Sequence, residues 1–308
     1  MLTARIMVGD AVTRLGQLPD GSVRTCVTSP PYWGLRDYGN DGQLGLEPTP
    51  QEFVENLCQV FDEVRRVLVD DGTLWVNLGD SYVGSGKGGQ SAAKRSENWQ
   101  PEYANKGLVP EGLKPKDLVG IPWRFAFAMQ DRGWYLRQDI IWAKPNPMPE
   151  SVTDRCTKSH EYVFLLTKNP RYYFDHEAIK EPVAHPNLIG KSQKVSYHDD
   201  SAMRNDGDRV VIRGEKRNKR SVWTVTTKPY KDAHFATYPP ALIEPCVLAG
   251  SAEGDTVLDP FSGSGTTGEV ALQNGREYIG VELNPDYAEL SQRRITKAIG
   301  MLGKVELC

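Results

Sequence analysis

The stretch "VLDPFSGSGTTGEVALQNGREYIGVELNP", Val257 to Pro285, constrains the fold of this chain more than any other. It reads as a strand, a Gly-Ser loop, a helix stopped by Asn274-Gly275, a second strand, and a helix start at Asn284-Pro285. Two strands joined through a helix lie parallel, and parallel strands need helices on their faces. The same alternation runs through most of the chain. "RIMVGD", "VRTCVT", "TLWVNLGD", "WYLRQDIIWAK" and "EYVFLLTK" read as strands, and "DLVGIPWRFAFAMQDRG" contains a helix. The clearest helix is "TPQEFVENLCQVFDEVRRVL". Thr49 and Glu52 form a capping box and Pro50 takes the first helical position. Phe53, Leu57, Val60, Phe61, Val64, Val67 and Leu68 recur at helical spacing, and "DDG" is expected to end the helix. "ALIEPCVLAG" reads as a helix packing under the sheet. The expected fold is α/β, on a parallel sheet.

Two stretches break the rhythm. Residues 84–107 are glycine-rich, polar and slightly basic, and read as a long loop. Residues 171–233 are polar, proline-containing and locally basic, and read as an insertion. The chain is thus expected to divide into 1–170, an inserted 171–233, and 234–308. Net charge is −3, so no global basic signature of a nucleic-acid binder exists. Locally, Lys191 to Arg220 carries nine Lys/Arg against five Asp/Glu. Within it "RGEKRNKR" sets Arg213, Lys216, Arg217, Lys219 and Arg220 around one acid. This cluster is either a solvated loop or a contact for a polyanion.

Hydrophobic content of 39% and charged content of 25% are those of a globular chain long enough to bury a full core. No run of about 18 apolar residues exists, which argues against a membrane span. The start "MLTARIMVGD" lacks the apolar core of a signal peptide, so a cytoplasmic location is expected. Cys26, Cys58, Cys156, Cys246 and Cys308 are scattered, as suits reduced thiols. The five histidines form no cluster, and no metal site is expected.

Gly263 and Gly265 allow backbone to approach a ligand, and the helix that follows presents free amides. Glu282 lies 17 residues beyond Gly265, about where dinucleotide folds place the acid that grips ribose hydroxyls. An ionised carboxylate only accepts hydrogen bonds, so a vicinal diol suits it. No Lys follows the glycines, as a nucleoside triphosphate would require, and the spacing departs from GxGxxG. A nucleoside with a zwitterionic tail fits better; a tight strand-to-helix turn is the plain alternative.

"TSPPYWGL" follows the second strand, and its prolines remove two amide donors. Residues before proline are pushed to extended backbone. The turn therefore offers the Ser29 hydroxyl and the Pro30 carbonyl as acceptors in a frame stiffened by Pro31. An exocyclic amino group of a nucleobase is a poor nucleophile until acceptors hold its hydrogens and the nitrogen turns tetrahedral. Tyr32 supplies a face for base stacking worth about 1–3 kcal/mol. That offsets part of the few kcal/mol needed to extrude a base from a duplex.

Together these motifs resemble the amino-methylating DNA methyltransferases that use S-adenosylmethionine, in the circularly permuted beta arrangement where the catalytic motif precedes the cofactor motif. "TSPPYW" resembles their catalytic motif, "DPFSGSGTT" the cofactor loop and "YIGVEL" the strand with the ribose-binding acid. "HFATYPPALIEPCVLAG" resembles the segment holding the methionine end, and "WAKPNPMPES" with "SHEYVFLLTK" the stretch beside the target-base pocket. The resemblance implies a Rossmann-like sheet with an inserted target-recognition region, DNA as substrate and no metal. It also admits a cognate restriction endonuclease as partner.

By position it assigns catalysis to Ser29, Pro30, Pro31 and Tyr32. Asp259 would orient the cofactor's amino end, Phe261 line its pocket, and Ser262, Gly263, Ser264, Gly265, Thr266 and Thr267 wrap it with backbone. Glu282 would take the ribose hydroxyls, Asp10 the adenine amino group and Thr237 the methionine carboxylate. Asp10 as a turn cap is the competing reading. The basic cluster then becomes a phosphate contact. Ser29 favours cytosine N4 over adenine N6 as target. RNA or protein-glutamine methylation and a non-catalytic nucleic-acid-binding module are the rivals. Cys246 reads as a buried structural thiol and not a nucleophile. Trp99 and Trp223 are either DNA-stacking or core residues.

Overall fold

A computed structural model describes residues 2–35, 39–40, 42–84, 109–183, 192–195, 209–212, 215–227, 237–300 and 303–308. They divide into two units, residues 1–174 with 221–308, and Asp175–Arg220.

The first unit opens with β1 (Leu2–Val8), α1 (Ala11–Leu15), β2 (Val23–Thr28), α2 (Pro50–Val67) and β3 (Leu68–Leu78). It continues with α3 (Ile121–Asp131), β4 (Tyr135–Ala143) and β5 (His160–Thr167). The second unit carries β6 (Glu181–Pro182), β7 (Ser192–Val195), β8 (Arg209–Ile212) and β9 (Lys216–Arg217), paired β6 with β9 and β7 with β8. Back in the first unit come β10 (Val222–Thr224), α4 (Pro240–Gly250), β11 (Thr256–Asp259), α5 (Thr266–Gln273), β12 (Glu277–Glu282), α6 (Pro285–Ile299) and β13 (Gly303–Leu307).

The main sheet has nine strands in the order β10-β4-β5-β3-β2-β11-β12-β1-β13. Among its described strands only β5 opposes its neighbours, β3 and β4. The expected parallel α/β sheet is present. Two pairings that join distant parts of the chain set its logic. β2 lies parallel to β11 with Val257 opposite Thr25 and Leu258 opposite Cys26, and β1 lies parallel to β12 with Val8 opposite Glu282.

Local chemistry explains the elements. The Thr49 hydroxyl caps α2 by accepting from the Glu52 amide at 3.2 Å. Phe53, Leu57, Val60, Phe61 and Val64 are buried on one face of that helix, and each such side chain contributes about 1.5–3 kcal/mol. Gly120 holds a left-handed φ of 79° before α3, whose N-terminal amides of Gly120 and Ile121 donate to the Asp80 carboxylate.

Two local expectations are corrected. "DDG" does not end α2 in a turn: β3 starts at Leu68 and runs through it, with the register jumping between Val23–Leu68 and Thr25–Thr73. Gly72 is there for close approach, because a Cβ on it would lie 2.9 Å from the Arg24 carbonyl oxygen. Val222–Thr224, read as insertion, pairs with β4 at the sheet edge. The short α1 and the edge strand β13 were not expected.

Candidate active site

The C-terminal ends of the parallel strands and the start of β5 open into one cleft of about 1030 Å³. In open α/β sheets this is the edge where ligands bind. β1 delivers Gly9 and Asp10 to it, β2 Ser29 to Tyr32, β3 Gly79 and Asp80, and β4 Lys144. β11 delivers Pro260 to Ser264, β12 Glu282, and β5 enters with His160 and Glu161. Segments from opposite ends of the sequence, around Ser29 and Gly263, thus share one cavity. Thr28 ties them directly, its hydroxyl donating to Asp259 Oδ1 at 2.6 Å.

On one wall stands the Ser29-Pro30-Pro31-Tyr32 turn. Trp33 anchors it, with its ring in the core and its indole Nε1 donating to the Glu47 carbonyl at 2.9 Å. The Tyr32 ring lies against Gly79 so closely that a Cβ there would come within 2.6 Å of Tyr32 Cε2. Its hydroxyl donates to Glu161 Oε2 at 2.7 Å, with Asn77 Oδ1 3.3 Å away. Asn77 Nδ2 in turn donates to Glu161 Oε2 at 3.2 Å, and Lys144 pairs with Glu161 Oε1. Burial pushes the Tyr32 hydroxyl well above its ordinary value, and the Glu161 carboxylate adds to the rise. Tyr32 therefore stays protonated and keeps donating. Lys158, beside it in the cleft, donates to the Asp80 carbonyl, and burial lowers its ammonium below the usual lysine value.

On the facing wall, Glu282 is half-buried with both oxygens oriented by backbone. Oε2 accepts from the Gly263 amide at 2.7 Å and Oε1 from the Asn284 amide at 2.9 Å. Burial raises its carboxyl above the usual 4.5. Gly263 and Gly265 have φ of 51° and 78°, and a Cβ on Gly265 would strike Ser291 Oγ at 2.4 Å. The loop hydroxyls turn inward. Ser262 Oγ meets Tyr278 OH at 2.9 Å, while Ser264 Oγ and Thr266 Oγ1 accept from Arg294 at 3.0 and 2.7 Å. What this loop shows the cleft is accordingly mostly backbone. Phe261, Thr237 and Tyr238 line the same cavity. Asp10 lines it too while capping α1, its Oδ1 accepting from the Thr13 amide and hydroxyl, as the capping reading of this residue expects.

Asp259 sits deeper. It is 1% exposed, and the chain itself supplies its donors: Thr28 and the Phe261 amide to Oδ1, Tyr238 at 3.1 Å and Thr267 at 2.7 Å to Oδ2. Burial raises its carboxyl above the usual value despite those four donors.

A residue set with a backbone-oriented acid, a glycine loop stripped of obstructing side chains and an aromatic edge fits an adenosine carrying a zwitterionic tail. A DNA methylase family model matches residues 23–293. The chain belongs to that family. This DNA methylase is 51% identical over 292 residues to the type II methyltransferase M.Cfr9I of Citrobacter freundii, covering 95% of this chain and 87% of the relative. It is 48% identical to M.SmaI of Serratia marcescens, over 96% and 91% of the two chains. Among solved structures, TTHA0409 of Thermus thermophilus, complexed with S-adenosyl-L-methionine, shares its fold at 24% identity. The TM-score is 0.61 and 99% of each chain is covered. A PvuII DNA methyltransferase, cytosine-N4-specific, shares it at 19% identity and TM-score 0.65, over 99% and 94%.

Cys246 is buried in α4, its thiol directed to the Leu242 carbonyl, away from the cleft. Trp223 is buried on β10, which removes it as a stacking residue, and Trp99 lies outside the described residues, as do 85–108 and Arg213. In the second unit Arg217 and Arg220 both donate to Glu181 Oε1, at 2.9 and 2.7 Å. Burial pushes the Glu181 carboxyl up, but the two guanidiniums more than offset it and hold it below the usual range. Lys216 and Lys219 flank that pair in sequence. Glu161, Lys144, Asn77, Asp80 and Gly79 were not singled out beforehand. Their signal was a polar or charged residue at the rim of an apolar strand, as in "WVNLGD" and "SHEYVF". Among the described residues no helix is long and apolar enough to cross a membrane.

Proposed function

We propose that this DNA methylase is site-specific and methylates the exocyclic N4 amino group of cytosine in DNA. The observation that carries this is the shared cleft: the acceptor turn at Ser29 and the backbone-held Glu282 face one cavity. When bound, S-adenosylmethionine would supply an electrophilic methyl carbon on its sulfonium. The amino nitrogen bonds to that carbon as the carbon–sulfur bond breaks, the neutral thioether leaves, and one amino proton departs through the acceptor that held it to solvent. The chain's work is to create that lone pair and aim it.

The Ser29 hydroxyl and the Pro30 carbonyl accept the two amino hydrogens, so the nitrogen loses conjugation with the ring. Tyr32, braced on Gly79 and tethered to Glu161, fixes the plane of the base. Glu282 accepts from the ribose hydroxyls, Asp10 serves the adenine amino group, and Thr237 with Phe261 lines the remainder. Asp259 is a positioning residue that sets Thr28, Tyr238 and Thr267. No covalent enzyme intermediate is required, in keeping with the buried Cys246. The permuted reading draws support from β1, which lies beside β12 and not at the opening of a separate sheet. Residues 175–220 with 84–107 are assigned to target recognition, and the cations Lys216, Arg217, Lys219 and Arg220 to phosphate contacts.

Ser29 in place of an acid favours cytosine. The test is DNA from cells expressing the chain, digested to nucleosides for mass spectrometry and sequenced for modified bases. N4-methylcytosine in one sequence context is expected. N6-methyladenine as sole product overturns the choice of base.

A further inference from the structure

We propose that Met148 is the side chain that enters the base stack when the target nucleotide leaves it, an inference that rests on the DNA-methylating reading above. Met148 is 81% exposed, the most exposed of the large apolar residues described. It nonetheless lines the catalytic cleft together with Ser29 and Pro30. Leu35 and Val12 line the same cleft but are only 39% and 38% exposed. A methionine held in water at the mouth of a binding cavity gains nothing for the isolated fold. It gains when an apolar gap is presented to it.

The segment around it is built to hold that side chain out. Pro147 and Pro149 fix the backbone on either side. Upstream, Asn146 clasps Thr227, with Oδ1 accepting from the Thr227 amide at 3.0 Å and Nδ2 donating to its carbonyl at 3.2 Å. Lys144, two residues earlier, donates its amide to the Ser159 carbonyl at 2.8 Å. Downstream, Glu150 Oε2 accepts from Arg155 at 2.6 Å and from the Lys158 amide at 3.1 Å. With both ends tied, ordering this segment costs little on binding. Extrusion of a base leaves a void between neighbouring pairs, and an apolar wedge that fills it holds the flipped state open. The unbranched, polarisable thioether adapts to stacked faces better than a branched side chain does.

The test compares kcat/KM on two synthetic duplexes carrying the site returned by modified-base sequencing. One has the target cytosine paired and the other has it mispaired, so that it is already loosened. Met148→Ala is expected to lose on the order of tenfold to a hundredfold on the paired duplex, the equivalent of one buried methionine side chain. On the mispaired duplex the loss shrinks to a few-fold, because extrusion no longer needs the wedge. Met148→Leu restores most activity on the paired duplex. Equal losses on both duplexes, or none on the paired one, overturn the wedge alone. A wild-type protein that methylates neither duplex overturns the DNA-methylating reading, and the wedge with it.

Discussion

Gly79→Ala isolates the placement of Tyr32 from every other feature of the cleft. The added Cβ lies 2.6 Å from Tyr32 Cε2 and 3.2 Å from Cδ2 and Cζ, where ordinary contacts begin at 3.4 Å. The ring has to retreat by about 0.8 Å to restore a normal contact. It cannot retreat freely. Its hydroxyl is held by Glu161 Oε2 at 2.7 Å, and Trp33, the next residue, is locked in the core. The displacement passes to the Ser29-Pro30 acceptors, and a shift near 1 Å at a reacting group costs about a hundredfold in rate. Overpacking should cost about 1–3 kcal/mol of stability, which a chain of this size survives. Steady-state kinetics with DNA, thermal melts and calorimetry of S-adenosylmethionine binding separate these effects. The expected outcome is kcat down about a hundredfold, a modest drop in Tm and unchanged cofactor affinity. A folded Gly79→Ala protein with wild-type kcat refutes the claim that a fixed Tyr32 ring matters.

Two more predictions concern charge. Burial raises the Glu282 carboxyl above 4.5, so its contribution to stability is present below about pH 4.5 and lost as pH rises through the folded value. Cofactor affinity runs in the opposite direction, because the ionised carboxylate is the acceptor; calorimetry should show that trend in wild type and not in Glu282→Gln, and melts should show a smaller pH dependence in the variant, the remainder coming from Asp259, whose carboxyl burial also raises. Replacing Arg217, Lys219 and Arg220 by Gln should weaken DNA binding, and each phosphate left without its cation should reduce the slope of log K against log salt by about 0.9. Binding assays across salt concentrations that return an unchanged slope reject that role.

Much of this fold was legible because its signals are short-range. Thr49, Pro50 and the apolar spacing of α2 act within one helix, and the loop from Asp259 to Thr267 announces itself by composition. What could not be read depends on partners far apart in the chain. "DDG" has the composition of a turn, yet Gly72 is used to let β3 pass the Arg24 carbonyl. β13 is short and half polar, and it exists because β1 offers it an edge. The basic run from Arg213 to Arg220 looked uncompensated, since Glu181, which accepts from two of its arginines, lies 36 and 39 residues away. The network of Tyr32, Asn77, Lys144 and Glu161 draws on four strand ends. No local pattern joins them, and only the sheet order brings β3, β4 and β5 alongside the turn that follows β2.

Asp259 spends its hydrogen bonds on the chain itself. The turn at Ser29 and the loop at Gly263 are separated by more than two hundred residues, yet the methyl transfer proposed for them tolerates little relative play. Strand pairing of β2 with β11 fixes them along the sheet, but pairing alone leaves the strand ends free to splay. Asp259 closes that freedom by accepting from Thr28 on one strand, from Tyr238 ahead of α4, and from Thr267 in the first turn of α5. Hydrogen bonds to a charged acceptor contribute about 1.5–3 kcal/mol each, enough to hold three segments in one arrangement. A carboxylate facing the cleft would have to divide those bonds between the protein and a ligand. Buried behind it, Asp259 keeps all four of its accepted bonds within the chain.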